Sequence, residues 1–233
     1  MAIKSFVGRE TELQVLGSYI SRISEAEQRR IVFITGEAGV GKSELISQIR
    51  DKVFKMCPDI RLETAYCNEL SGGGDPYQPF FNILDDLVTT EKREEKGKFL
   101  KFILEMGPEW VQVIPGIGSL VSVAWKTTQW VKTEHLNKAA LDIPQIDYYM
   151  IFRQYTKIIK SISTLNPLML VVEDLQWADT SSIDLLFHLS RNLGSCPVLI
   201  ICTYRPSEIE IRQHPVRQVK AEMERYGLCQ EVS

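Results

Sequence analysis

The sequence predicts an α/β protein built on a doubly wound, mainly parallel sheet. Runs of Val, Ile and Leu at 31–36, 168–174 and 198–204 are nearly continuous, as is typical of strands buried on both faces of a parallel sheet. Segments with helical periodicity lie between these runs. Alternating strands and helices are the doubly wound pattern, and the three-layer α/β/α fold class follows from it.

In the first part of the chain, two helices flank the first strand at 31–36. The helix before it is predicted by apolar residues spaced three and four apart: Leu13, Leu16, Ile20 and Ile23. The helix after it is predicted by a similar stripe: Leu45, Ile46, Ile49 and Val53. Cys57 and Pro58 end this second helix, and a second strand is predicted at 61–67.

The C-terminal part continues the alternation. A helix leading into the third strand carries the stripe Ile151, Tyr155, Ile158, Ile159 and Ile162. A helix between the third and fourth strands carries Ile183, Leu186, Phe187 and Leu193. Another helix is predicted within 214–227, with Pro215 at its first position and Gly227 at its end, and a short fifth strand within 228–233.

About a hundred residues separate the second and third strands, far more than a crossover needs, which predicts a helical insertion at 69–145. It contains the loop 71–80, a charge run at 91–98 and a stretch without charges at 110–125. That stretch is shorter than the ~20 residues of a membrane span, and prolines and glycines interrupt it. We expect a buried loop-helix there, with a partner-binding patch as the alternative and no membrane insertion.

Composition excludes several classes of protein. The 233 residues carry 27 Lys and Arg against 30 Asp and Glu, a net charge of −3, which argues against a general nucleic-acid binder. Five cysteines without CxxC spacing indicate neither a disulfide framework nor a zinc site. Cys196 and Cys202 lie in or beside apolar runs and are expected to be buried, reduced thiols. With no signal peptide in the first residues, we expect a cytoplasmic protein.

The most specific motif is GEAGVGKS at 36–43, which fits G-x-x-x-x-G-K-[ST] between a predicted strand and a predicted helix. Glycines at 36, 39 and 41 let the backbone wrap around a phosphate and present its N–H groups. Lys42 supplies a positive charge to the β- and γ-phosphates, and the Ser43 hydroxyl is a Mg²⁺ ligand. The motif therefore predicts a site for a Mg²⁺-nucleotide at the start of a helix.

Two carboxylates and an arginine complete the predicted site. Glu173 and Asp174 end the third strand, where one acid can hold the Mg²⁺ shell and the other can orient or deprotonate the attacking water. We assign Glu173 to the metal and Asp174 to the water, although either order fits the sequence. Thr203 and Arg205 lie at the tip of the fourth strand, where an arginine can sense or stabilise phosphate charge.

Five segments occur in a characteristic order and spacing: FVGRE (6–10), GEAGVGKS (36–43), VVEDLQWAD (171–179), CTYRP (202–206) and HPVRQVKAEM (214–223). In these segments the chain resembles the STAND ATPases, signal-transduction ATPases of the AAA+ class, and in particular the ATPase modules of maltose-activator-like LuxR-type regulators and of cyclase- or kinase-linked sensors. The resemblance covers nearly the whole chain and is loose over the insertion. It implies a single core at 1–233 with sheet order 5-1-4-3-2.

The resemblance also implies site residues and cofactors. Val7 and Arg9 would be base-side contacts of ATP or ADP, and Arg205 the first-sensor arginine. The nucleotide and Mg²⁺ would be held by the loop and the start of its helix: Gly36, Glu37, Ala38, Gly39, Val40, Gly41, Lys42, Ser43 and Glu44. Asp179 would either lie near the site or cap the following helix, for which Thr180 and Ser181 with Asp184 offer alternative caps.

What the resemblance implies for function is an ATP/ADP switch with slow hydrolysis that controls a larger regulator. The family continues into a lid, a winged-helix segment and sensor domains, which we expect in a parent protein, with self-association as a further expectation. This chain departs from the AAA+ pattern in having Glu173 where Asp usually stands. The alternatives are an AAA+ initiator or remodelling ATPase acting on DNA or protein and, less well supported, a small-molecule kinase.

Overall fold

A computed structural model of the protein describes residues 9–23, 31–69, 76–89 and 148–233. In chain order the described elements are α1 (Glu10–Ser21), β1 (Ile31–Thr35), α2 (Lys42–Met56), β2 (Arg61–Tyr66), α3 (Gln78–Thr89), α4 (Tyr148–Ser163), β3 (Leu168–Glu173), a 3-10 turn (Leu175–Trp177), α5 (Thr180–Asn192), β4 (Val198–Tyr204), α6 (Pro206–Ile211), α7 (Val216–Arg225) and β5 (Cys229–Val232). One compact unit comprises Met1–Pro79 and Lys160–Ser233, and a second comprises Phe80–Ile159. The division into a single core with an insertion at 69–145 stays a prediction.

The first unit is built on a five-stranded parallel sheet in the order β2-β3-β4-β1-β5. β1 lies between β4 and β5, and Ile31 is opposite both Ile200 and Cys229. Read from the other edge, this is the predicted order 5-1-4-3-2, so the predicted fold class is confirmed. All strands run the same way, and their carboxyl ends therefore share one edge of the sheet, where ligands of such folds bind.

The strands are buried according to their place in the sheet. Every residue of β1, β3 and β4 is buried, which confirms the interpretation of the Val, Ile and Leu runs. β2 forms an edge, and most of its residues are only half-buried. The interior strands thus supply a rigid support for residues at their carboxyl ends.

The helical stripes read from the sequence lie on the core side of their helices. α1 and α2 pack together on one face of the sheet, with Leu16 and Leu45 fully buried. Four strands contribute to this core, with alternate residues of β1, β3 and β4 and one residue of β5: Val32, Ile34, Met169, Val171, Leu199, Ile201 and Val232. α5 and α7 contact each other in the same unit.

The fifth strand is present where it was predicted. α7 was predicted to begin at Pro215, and it begins one residue later, at Val216. Gly227 follows the end of the helix and has a φ of +66°. The carboxylate of Glu231 in β5 accepts hydrogen bonds from the Thr35 hydroxyl (2.8 Å) and from the Lys220 ammonium group. These bonds fasten β5 to the residue that precedes the glycine-rich loop.

The second unit contains most of α3 and of α4. The Tyr155 side chain is buried, and its hydroxyl donates a hydrogen bond to the Phe80 carbonyl at 2.9 Å. Their rings meet edge-on with centroids 5.8 Å apart. The stripe that predicted α4 is buried throughout. The charge run at 91–98, the apolar stretch at 110–125 and residues 71–75 of the predicted loop lie outside the described residues.

All five cysteines are free thiols. Cys67, Cys202 and Cys229 are buried, and burial raises the pKa of Cys67 to about 12. Cys196 was expected to be buried but is partly exposed, because it lies in the turn before β4. Across the described helices, none has both the length and the apolar character needed to cross a bilayer.

Candidate nucleotide-binding site

The glycine-rich loop joins β1 to α2, which is the strand-loop-helix context that the motif requires. Gly36 has a φ of +152°, and a Cβ there would stand 2.6 Å from a Val40 methyl group. Gly41, which precedes α2, has a φ of +89°. Residues with a Cβ rarely adopt such conformations, so the loop needs glycine at these positions.

Lys42, the first residue of α2, points back into the loop. Its side chain is buried, and Nζ donates hydrogen bonds to the carbonyl oxygens of Gly36 (2.6 Å) and Glu37 (2.9 Å). Burial lowers the pKa of Lys42, and Arg205 lowers it further, while Asp174 counteracts the change. The amine is therefore held in place at the centre of the loop.

A cavity of about 230 Å³ opens beside this loop. Its lining consists of predicted site residues: Ala38, Gly39, Gly41, Lys42, Ser43, Glu44, Asp174 and Arg205. The structure thus brings together residues from the loop, from the end of β3 and from the end of β4. Parallel strands make this possible, since all of these segments lie at the carboxyl edge of the sheet.

Ser43 lines this cavity and contacts Glu173, which lies behind it and does not line the cavity. The Ser43 hydroxyl donates a hydrogen bond to Glu173 Oε2 at 3.0 Å. Glu173 ends β3 and is only 4% exposed. Burial raises the pKa of Glu173, and the Ser43 hydrogen bond opposes this shift without cancelling it. Two oxygen ligands suited to Mg²⁺ are therefore adjacent.

Asp174 follows β3 in a left-handed conformation, with φ +60° and ψ +48°. The strand was predicted to include it, but β3 ends one residue earlier. The backbone N–H of Asp174 donates to Thr203 Oγ1 at 3.0 Å, and Asp174 Oδ1 lies 3.9 Å from Arg205 Nε. The turn away from the strand directs Asp174 into the cavity lining while Glu173 stays buried.

Arg9 lies beside the loop, and Val7 lies outside the described residues. One terminal nitrogen of Arg9, Nη2, is 3.9 Å from the place that a Cβ on Gly36 would take. The other, Nη1, is buried without a hydrogen-bond partner in the described part of the chain and approaches Glu12 at 3.8 Å. The structure therefore places Arg9 beside the glycine-rich loop, and its contact with the base stays a prediction.

Glu37 and Val40 belong to the loop but do not line the cavity. The Glu37 carboxylate accepts hydrogen bonds from the backbone N–H (3.1 Å) and the hydroxyl (2.6 Å) of Ser207. These hydrogen bonds lower the pKa of Glu37. The side chain therefore ties the loop to the first turn of α6.

The family model of the AAA ATPase domain matches residues 5–201 of this chain. The chain belongs to the AAA ATPase domain family. It is also 26% identical over 207 residues to the uncharacterized protein R02095 of Rhizobium meliloti (strain 1021). That match covers 86% of this chain and 18% of the relative, so the chain spans less than a fifth of that protein's length. The AAA ATPase domain is a nucleotide-binding ATPase domain of the P-loop NTPase class.

The residues around this cavity of the AAA ATPase domain suit the phosphates of a nucleotide and a Mg²⁺ ion. Arg205 Nε is buried without a hydrogen-bond partner among the described residues, and its side chain lines the cavity, so a phosphate oxygen would supply the missing acceptor. In the described parts of the chain, no three His, Cys, Asp or Glu side chains form a metal cage. Mg²⁺ would instead be shared between Ser43, Glu173 and the phosphates, as is common for this ion.

Two further side chains of the AAA ATPase domain, Asp179 and Gln176, make defined hydrogen bonds. Asp179 caps α5, accepting a hydrogen bond from the Ser182 N–H at 2.9 Å, which favours the cap over a place in the site. Gln176 was not singled out from the sequence, yet its amide joins Asp174 to the backbone of Arg205. The sequence does contain a signal for it: Gln176 is a polar residue between Leu175 and Trp177, directly after the two acids that end the third strand.

Proposed function

We propose that this AAA ATPase domain is the ATP-binding and slowly hydrolysing core of a STAND-type signal-transduction ATPase, in which ATP and ADP occupancy switch a larger regulator. The observation that carries the proposal is the convergence of Lys42, Ser43, Asp174 and Arg205 on one cavity, with Glu173 against Ser43. The core spans 1–233, with the insertion at 69–145, and acts in the cytoplasm. Sensor domains or self-association in the parent protein complete the regulator.

Binding relies on donors that the chain already holds in place. The backbone of the loop from Gly36 to Ser43 surrounds the β- and γ-phosphates, and Lys42 exchanges its carbonyl partners for phosphate oxygens. Arg205 lines the same cavity and would bind the γ-phosphate. Bound Mg²⁺ neutralises charge on the β- and γ-phosphates, and Ser43 and Glu173 are the residues that would hold it. Arg9, the residue before α1, contacts the base side.

Hydrolysis relies on Asp174 as the proton acceptor. The attacking water forms a bond to the γ-phosphorus, the bond from that phosphorus to the β–γ bridging oxygen breaks, and the water's proton passes to the Asp174 carboxylate. The Asp174 and Arg205 side chains are each about one-third exposed, at 34% and 33%. Water is therefore not excluded from the reacting groups, which supports slow turnover.

The switch requires a difference in affinity between the two nucleotide states, because a ligand shifts an equilibrium only by its differential binding. ATP and ADP differ in the γ-phosphate, and Arg205 is the cationic side chain placed to sense it. A hydrogen bond to a charged group contributes about 1.5–3 kcal/mol, which corresponds to about 10- to 150-fold discrimination. Arg205 is the residue before α6, so the discrimination between ATP and ADP is made at the start of this helix. The glycine-rich loop contacts the same helix, because Glu37 accepts a hydrogen bond from Ser207.

The proposal is tested by calorimetric titration of ATP and ADP. Lys42→Ala should weaken ATP binding at least tenfold, because the phosphates lose a charged hydrogen-bond donor worth about 1.5–3 kcal/mol. Lys55→Ala, at the exposed end of the same helix, is the matched control and should bind as the wild type does. Unchanged affinity in a folded Lys42→Ala protein would contradict the phosphate-loop assignment.

Turnover separates the switch from an initiator that acts on DNA. A switch hydrolyses ATP at the same slow rate with and without nucleic acid, since nucleic acid is not its signal. Multiple-turnover assays with single- and double-stranded DNA test this directly. Stimulation that requires Lys42 would favour the initiator over the switch.

A further inference from the structure

Gln176 is a buried amide that lies between the two polar groups at the end of the cavity. Its side chain is 1% exposed within the 3-10 turn after β3. Nε2 donates a hydrogen bond to Asp174 Oδ1 at 2.8 Å, and Oε1 accepts one from the Arg205 backbone N–H at 3.2 Å. One side chain thus bridges the carboxyl end of β3 and the carboxyl end of β4.

We infer that Gln176 is a positioning residue that fixes the Asp174 carboxylate and the Arg205 main chain in one arrangement, so that water activation and γ-phosphate sensing depend on the same buried amide. The inference rests on the proposed function, because it assigns the two groups their roles in ATP hydrolysis. It adds a residue that contacts neither nucleotide nor metal and acts through Asp174 and Arg205.

The conformation of Asp174 shows why such support is needed. A left-handed backbone is disfavoured for residues with a Cβ, and strained residues persist where the surroundings hold them. Thr203 holds the backbone N–H of Asp174, and Gln176 holds its carboxylate. Trp177 donates its N–H to the Asp174 carbonyl at 2.9 Å. The residue is therefore restrained at its amide, its carbonyl and its side chain.

The amide is the side chain that suits both partners at once. Asp174 needs a donor, and the Arg205 N–H needs an acceptor; a primary amide offers one of each. The Arg205 N–H can only donate, which fixes the orientation of the amide. A carboxylate at this position would lose the donor and repel Asp174, and an apolar side chain would deprive the Asp174 carboxylate and the Arg205 N–H of this hydrogen-bond partner.

Gln176 also keeps Arg205 available. Arg205 Nε lies 3.9 Å from the same Asp174 oxygen that receives the amide hydrogen bond, beyond hydrogen-bond distance. The amide hydrogen bond holds the Asp174 carboxylate at this distance from the guanidinium. Without the amide, Arg205 and Asp174 would form a close ion pair, which would withdraw the arginine from phosphate.

The test compares Gln176→Leu with the wild type by calorimetry and single-turnover hydrolysis. We expect ADP affinity within about threefold of the wild type, hydrolysis slowed at least tenfold, and a smaller preference for ATP over ADP. Gln218→Leu, at an exposed position on α7, is the matched control and should behave as the wild type does. A general structural role would instead weaken ADP and ATP binding together.

Gln176→Glu supplies a second, independent readout. A protonated carboxyl group again has one donor and one acceptor, and burial beside Asp174 favours the protonated form. The ratio of its hydrolysis rate to the wild-type rate should therefore rise as the pH falls. The other charged or titratable groups nearby are Lys42, Glu44 and Arg205 in the cavity lining and Asp179 and His214 beyond the 3-10 turn, and both proteins contain all of them.

The outcomes distinguish this inference from the proposed function. If the wild type neither binds nor hydrolyses ATP, both fail. If the wild type hydrolyses ATP and Gln176→Leu retains its rate, only the role of Gln176 is overturned. Should Gln176→Leu fail to fold, the pH profile of Gln176→Glu decides: a rate ratio that does not change with pH overturns the inference, and a rising ratio supports it.

Discussion

Replacement of Glu173 by Gln should change stability and metal-dependent binding in opposite directions. Burial raises the pKa of Glu173 above its ordinary value, so the ionised carboxylate is disfavoured in the folded chain. Stability therefore falls as the pH rises from the ordinary glutamate value, about 4.3, through the raised value, and the cost persists at neutral pH. Glutamine does not ionise, and its carbonyl oxygen can still accept the Ser43 hydrogen bond. Glu173→Gln without ligand should thus unfold at a higher temperature at pH 7.

The same substitution should weaken the contribution of Mg²⁺ to ATP affinity. Ser43 Oγ and Glu173 Oε2 lie 3.0 Å apart, and the carboxylate is the charged member of this pair. Loss of one charged interaction costs about 1.5–3 kcal/mol, which is about 10- to 150-fold in the Mg²⁺-dependent part of the binding constant. A gain in stability with a loss of function is the usual trade-off at such sites.

Differential scanning calorimetry at pH 7 and near pH 4, together with ATP titrations with and without Mg²⁺, measures both effects. The stability difference should vanish near pH 4, where the wild-type carboxyl group is protonated. Glu210→Gln, at an exposed position on α6, should change neither quantity. A Glu173→Gln protein that is less stable at pH 7 and keeps its full Mg²⁺ dependence would refute the reasoning.

Two further variants test the scaffold around the site. Asp179→Ala removes the cap of α5 and should lower the free energy of unfolding by about 1 kcal/mol, or Tm by about 2–4 °C. Ser181→Ala is the control and should leave Tm unchanged. An equal loss of Tm in both variants would show that the two residues share the cap. Burial opposes ionisation of Glu231, but hydrogen bonds from Lys220 and Thr35 lower the pKa of Glu231 overall. The ionised Glu231 carboxylate therefore stabilises the fold above the ordinary pKa of glutamate, and this stabilisation is lost as the pH falls through the lowered pKa. Glu231→Gln should therefore lower Tm at pH 7 by an amount that shrinks in acid, and thermal melts across pH that show a constant difference would contradict this.

Much of the fold could be predicted because hydrophobic periodicity reports burial directly. The continuous Val, Ile and Leu runs became β1, β3 and β4 since only strands covered on both faces need apolar residues at successive positions. The apolar stripes spaced three and four residues apart became helices, since a helix with one buried face needs apolar residues at that spacing. The glycine motif added the site, because its spacing specifies both a backbone conformation and a charge.

The remaining features depend on contacts between residues distant in the sequence. Local patterns do not reveal that Ser207 would bind the Glu37 carboxylate, since 170 residues separate the two. The left-handed turn at Asp174 was missed because that conformation depends on support from Thr203 and Gln176. Cys196 was misjudged because proximity to an apolar run does not guarantee burial of a residue in the turn before it.

The difference in exposure among the five thiols makes the native chain suitable for site-selective labelling. Cys57 and Cys196, which are partly exposed, precede β2 and β4 at the amino edge, about a strand length from the cavity. Cys67 and Cys202 are buried, and the raised pKa of each thiol suppresses its thiolate form. A maleimide fluorophore would therefore attach first at the edge remote from the nucleotide, and could report ligand-induced movement without obstructing it.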